Sequence, residues 1–237
     1  MPATRAMLAE FVGTFALMFV GGGAIIVTQG QEFHLLAVAL AHGLILAVMV
    51  SATMHISGGQ INPAVSIALW LIKKQSWAQT GLFMTAQLVG AIAAALLLKM
   101  LLAGAYDVGD IGATLGEFSR AGSEHINAAK TLGLEIIATF LLMFVVMGTA
   151  VDKRGVGRNA AIGGFGIGLT VAAAILAIGP ATGASLNPAR SFGPALVAWT
   201  WDMHGAYWAG PIFGAALAAL AYRAVFGMEE PPGKAGG

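Results

Sequence analysis

Apolar residues in this chain gather into long runs broken by short polar or glycine-rich segments. Six runs, near 6–27, 35–54, 79–102, 131–150, 160–179 and 206–226, each hold about 20 residues. That is the length a helix needs to cross a hydrocarbon core of about 30 Å. Two shorter runs, 63–72 and 188–197, cover only about half that thickness and are read as re-entrant half-helices. The connection from Gly104 to Lys130 is polar enough to lie outside the bilayer, and the tail 227–237 is expected to be disordered. The pattern predicts an all-α polytopic membrane protein with a single domain over 1–237.

The two short runs begin alike. Asn62-Pro63-Ala64 and Asn187-Pro188-Ala189 lie 125 residues apart, each after a Gly/Ser-rich loop. The same offset carries Glu10 onto Glu135, and from there 10–20 matches 135–145 at seven of eleven positions. The chain is therefore read as two repeats, 5–102 and 130–226. Three spans per repeat make the second inverted relative to the first, so the half-helices enter from opposite faces.

Composition agrees with a bilayer. The chain is 58% apolar and 10% charged, against about a quarter charged in soluble domains. The 33 glycines fit close helix packing in lipid, with Gly13, Gly43, Gly90, Gly168 and Gly214 as expected crossing contacts. A net charge of +1 excludes a strongly basic nucleic-acid surface. The chain has no cysteine, which excludes thiol catalysis and disulfides. The first apolar run is too long for a signal peptide and lacks a cleavage site. Arg5, Lys73, Lys74, Lys153, Arg154, Arg158 and Arg223 fall on one side, read as cytoplasmic with both termini. The expected host is a cell (inner) membrane.

Irregular backbone at membrane depth survives only when buried in protein or lining a wet cavity. Asn is a good N-cap and Pro is preorganised for the first helical position. Two half-helices would then meet at the midplane with N-termini facing, each carrying roughly half a positive charge. Such a site opposes cations, orients a passing water through its oxygen and interrupts a proton-conducting water chain.

The segments HISGGQINPAV and GASLNPARSFGPA, with six spans around them, resemble the aquaporin (major intrinsic protein) family over nearly the whole chain. The resemblance implies a right-handed bundle of six helices and two half-helices, assembled as a homotetramer with one pore per subunit. It implies no cofactor and no metal. Arg190, directly after the second motif, matches the family's external constriction. His42, Ile175 and Ala184 match its other positions by spacing. Strict water channels of the family usually carry an aromatic where His42 stands and a His where Ile175 stands. The set here is similar to that of the plant vacuolar-membrane branch. The expected solutes are water and small neutral molecules such as ammonia or hydrogen peroxide.

A glycerol or urea facilitator is the alternative. Those relatives tend to have an Asp after the Arg and a basic residue four places on; here Ser191 and Ala195 stand there, and Tyr207-Trp208 is a water-type pair. Glu10 and Glu135, inside spans, are expected by the resemblance to support the re-entrant loops, and His55 to brace the first loop or line the vestibule. His125 is a candidate to reach over the external mouth. An inverted-repeat transporter would need a further intramembrane coupling carboxylate. An enzyme would need a base beside Ser185 or Ser191, or a metal motif. The sequence shows none of these.

Overall fold

The computed structural model describes residues 3–109, 113–114, 127–155 and 162–227. Among them lie six helices long and apolar enough to cross a membrane. They are α1 (Ala3–Thr28), α2 (His34–Thr53), α4 (Trp77–Leu102), α5 (Ala128–Val146), α6 (Gly163–Thr182) and α8 (His204–Phe226). The half-helices are α3 (Pro63–Leu71) and α7 (Pro188–Ala198). A π-helical turn over Met147–Val151 completes the crossing begun by α5. Helix α6 lies about three residues later than the run 160–179. It continues through Pro180 and stops at Gly183, whose φ of +80° is the left-handed cap that glycine adopts without strain. His125 and the tail beyond Gly227 lie outside the described residues.

The packing repeats with a shift of four elements. Helix α1 packs on α2 and α4 as α5 packs on α6 and α8, and α2 meets α6 between the halves. Each half-helix packs on the last span of the other repeat, α7 on α4 and α3 on α8. With an even number of such spans, the start of α1 and the end of α8 fall on one face.

Glycine sets the closest approaches. A Cβ on Gly90 would lie 2.5 Å from the Phe11 carbonyl oxygen and 3.1 Å from Phe15 N. One on Gly214 would strike the Ile136 carbonyl and lie 3.0 Å from Phe140 N. Residues 136 and 140 are 11 and 15 carried forward by 125, so the two contacts are copies. Gly43 and Gly168, also 125 apart, face each other across α2 and α6 in the same way. Gly214→Ala must push α8 off α5 and is expected to cost about 1–3 kcal/mol. In Gly81→Ala, on the same kind of span but with nothing within 4 Å, the alanine is expected to be neutral or slightly stabilising. Thermal midpoints in detergent check the pair, and equal midpoints would remove the packing argument.

The connection between the repeats does not stay wholly outside. Ala113 and Thr114 are buried, and Thr114 reaches the first turns of α7. The connection carries Asp107, Asp110, Glu117, Arg120 and Glu124, a composition that points to water, but these two residues depart from the expected external loop.

Candidate channel and its constriction

The loops leading to the half-helices are held from behind by the two intramembrane glutamates. Glu10 Oε1 accepts from Ser57 Oγ (2.6 Å) and Gln60 N (2.9 Å), and its Oε2 from Ile61 N (2.6 Å) and Gln87 Nε2 (2.8 Å). Glu135 repeats the pattern. Its Oε1 accepts from Thr182 Oγ1 (2.9 Å) and Ser185 N (2.9 Å), its Oε2 from Leu186 N (2.8 Å). Both side chains are fully buried, and every partner donates. A buried carboxylate is tolerated on those terms.

Ile61 and Leu186 have φ of +54° and +52°. Bulky residues rarely take this left-handed conformation, and each instance costs of order 1–3 kcal/mol. Each is fixed from both sides. Its N–H goes to the glutamate of its own repeat and its carbonyl to the asparagine of the other. Asn62 Nδ2 donates to Leu186 O (2.7 Å), and Asn187 Nδ2 to Ile61 O (2.8 Å). Gly58, Gly59, Gly183 and Ala184 also have positive φ, so the second loop has an alanine where the first has a glycine.

The asparagine oxygens cap the half-helices. Asn62 Oδ1 accepts from Ala64 N (2.9 Å), and Asn187 Oδ1 from Ala189 N (3.0 Å) and Arg190 N (3.4 Å). Pro63 and Pro188 occupy the first helical positions. Ala64 and Ala189 are fully buried. An amide NH₂ has two hydrogens, and the crosswise bond uses one from each asparagine. The sequence expectation of free donors is thereby halved.

Between the halves runs one cavity of about 600 Å³. Asn62, Asn187, His42, Ala184 and Arg190 line it, as do Lys74, Lys153 and His55 on the face of the termini. Leu17, Leu46, Val65, Leu142, Val146 and Val171 give it apolar walls. In its lining Arg190 Nε donates to His42 Nε2 (3.3 Å), while His42 Nδ1 lies 2.9 Å from the Val38 carbonyl. A carbonyl only accepts, so Nδ1 carries the proton and Nε2 offers its lone pair to the guanidinium. The ring lies where a Cβ on Gly21 would be, so glycine on α1 makes room for it. Ile175 is buried one helical turn beyond Val171, in the same apolar cluster as Ala184, and does not line the cavity.

The family model for major intrinsic proteins matches residues 1–222. The chain belongs to the major intrinsic protein family. Aquaporin TIP4-4 of Zea mays is 42% identical over 240 residues, which cover 96% of this chain and 90% of that protein. Aquaporin NIP1-1 of Oryza sativa subsp. japonica is 37% identical over 97% of this chain and 77% of its own length. The solved structure of an aquaglyceroporin from Plasmodium falciparum shares the fold, with a TM-score of 0.80 over 95% of this chain and 97% of that one, at 24% identity. This is a multi-pass membrane channel of the aquaporin family and not an enzyme.

Within this family fold, several contacting groups escaped the reading of the sequence. Bracing of the first loop falls to Ser57 rather than His55, whose side chain is exposed and lines the cavity. The signal was available, since Ser57 and Thr182 are 125 apart, as are Ser66 and Ser191. At the face of the termini, Asp152 is turned from the cavity. Its carboxylate takes Arg154 Nη2 at 2.6 Å, and Tyr222 Oη donates to it at 3.2 Å. The same Nη2 reaches the carbonyls of Phe226 (3.0 Å) and Gly227 (2.7 Å). The Arg154 hydrogen bonds hold the Asp152 carboxyl well below the usual carboxylate range.

Proposed function

We propose that the protein is a passive channel for water that also admits small neutral solutes such as ammonia or hydrogen peroxide, and excludes protons and ions. One observation carries this reading: one cavity with largely apolar walls passes both half-helix N-termini and is lined by the bonded His42–Arg190 pair. The apolar stretches of its wall give water no partner. The remaining amide hydrogens of Asn62 and Asn187 orient each molecule at the midplane through its oxygen. Water held as acceptor on both sides cannot relay a proton. A cation there meets two positive helix ends, and beyond them the Arg190 charge.

The reading of the solute rests on the constriction. Arg190 and His42 supply polarity on one side, while Ala184, backed by Ile175, leaves the opposite side small and apolar. Neither offers an aromatic face for a carbon backbone, and Ser191 does not line the cavity, so glycerol is disfavoured. The same reading puts both termini on the cytoplasmic side, where the basic residues gather. It also takes the chain to assemble as a homotetramer with a pore in each subunit.

Stopped-flow light scattering on proteoliposomes, water against ammonia in one preparation, tests it. Raised permeability to both is expected. Fast osmotic shrinkage with no ammonia gain over empty liposomes would leave a strict water channel, and no gain in either would overturn the reading. Mercurials are expected to leave the water flux unchanged, because the chain has no thiol. Block at low mercurial concentration, reversed by a free thiol, would contradict that.

A further inference from the structure

We propose that Thr114, in the connection between the repeats, is a positioning residue for Arg190 and so helps to set the bore of the constriction. The inference rests on the channel reading above. Thr114 Oγ1 donates to Ser191 Oγ at 2.7 Å, and Ser191 Oγ lies 2.5 Å from Ser185 Oγ. Ser185 Oγ in turn donates to the Asn187 carbonyl at 3.0 Å. All three hydroxyls are buried. Because the last link ends on a carbonyl, the order of protons is fixed. Ser185 uses its hydrogen on Asn187 O, so Ser191 donates to Ser185 and accepts from Thr114. The chain runs one way, each bond polarising the next.

Its far end is Asn187, whose Oδ1 receives the Arg190 amide. Its middle is Ser191, the next residue. Arg190 is thus held through Asn187 on one side and through Ser191 on the other. The first repeat shows what Thr114 replaces. There Ser66 donates to Gln60 Oε1 (2.6 Å) and accepts from Gln87 Nε2 (3.1 Å), as Ser191 donates to Ser185 and accepts from Thr114. Gln87 is rooted in a membrane span. Three residues before the crossing glycine, where the first repeat has Gln87 before Gly90, the second has Pro211 before Gly214, and its donor comes from the connection instead. The turn that carries Arg190 is therefore tied to the connection between the repeats, while its counterpart beside Val65 is tied to α4 through Gln87 and, at the Ser66 carbonyl, to Gln75 in the short turn between α3 and α4.

The test measures urea and water permeability per reconstituted channel for wild type, Thr114→Val, Thr114→Ala, Thr114→Ser, Ser191→Ala and the Thr114→Val/Ser191→Ala double variant. Loss of the Thr114 hydroxyl is expected to raise the urea-to-water ratio about fivefold, the factor for one ordinary buried hydrogen bond. Thr114→Ser keeps a hydroxyl and is expected to restore the wild-type ratio. The double variant is expected to match Ser191→Ala alone, because both lesions cut one chain. General loosening would not be rescued by serine and would add in the double variant, and either result overturns the proposal. So does a wild-type ratio in Thr114→Val or Thr114→Ala. A wild-type protein that conducts no water would instead sink the channel reading itself.

Discussion

Glu10→Ala is expected to yield no folded channel, and Glu135→Ala a severely weakened one. The first change strands two buried backbone donors, Gln60 N and Ile61 N, releases the half-buried Ser57 Oγ, and leaves Gln87 Nε2 with Ser66 Oγ alone. Each unsatisfied buried group costs about 1–3 kcal/mol, and with the two weakened partners the sum approaches the lower end of the stability of a typical domain, about 5–15 kcal/mol. Glu135→Ala strands two backbone donors, Ser185 N and Leu186 N, while Thr182 Oγ1 keeps a long contact to Ile178 O at 3.5 Å. Glu10→Gln falls between, since an amide offers one accepting oxygen where the carboxylate offers two. Detergent size-exclusion profiles and thermal midpoints rank them. The expected order of stability is wild type, then Glu10→Gln, then Glu10→Ala, with Glu135→Ala above Glu10→Ala. Midpoints within a few degrees of wild type throughout would mean that the loops stand without their carboxylates.

His42→Phe combined with Ile175→His is expected to cut ammonia flux per channel at least about tenfold while water flux stays within about threefold. The phenylalanine fills the space beside Gly21 and takes away the lone pair that holds Arg190 Nε. The new histidine brings a polar ring to a wall that is now apolar. Arg190, released from one side, gains a partner on the other, and the passage narrows. Water has two hydrogens and two lone pairs with which to meet such a lining. Ammonia has one lone pair and loses the apolar wall that favours it. Paired flux measurements on one preparation decide the matter, and an unchanged ammonia-to-water ratio would detach His42 and Ile175 from solute choice.

Much of this fold was legible because lipid leaves a chain few options. A run of about 20 apolar residues can cross and a run of ten cannot, so the spans and half-helices fell within a few residues of their places. The glutamates were legible because a carboxylate inside a span demands an explanation. Other features left no mark in the pattern. The bonds from Asn62 to Leu186 and from Asn187 to Ile61 end on backbone carbonyls, which every residue has. Ile61 and Leu186 adopt a conformation their side chains disfavour, so propensity pointed away from it. A single threonine in a polar connection has no periodicity to betray its burial, and Thr114 was missed on that account. Spacing fixed the level of Ile175 along α6 but not its bearing around the helix axis, hence its place behind the cavity wall.

The crosswise bonds make each repeat a structural template for the other. Leu186 lacks a partner for its carbonyl unless Asn62 is present, and Ile61 depends on Asn187 in the same way. Neither loop reaches its final shape inside an isolated half, so the narrowest part of the path is a property of the pair. After such a duplication, the two copies of the motif are not free to drift apart: a lesion in one is felt first in the backbone of the other.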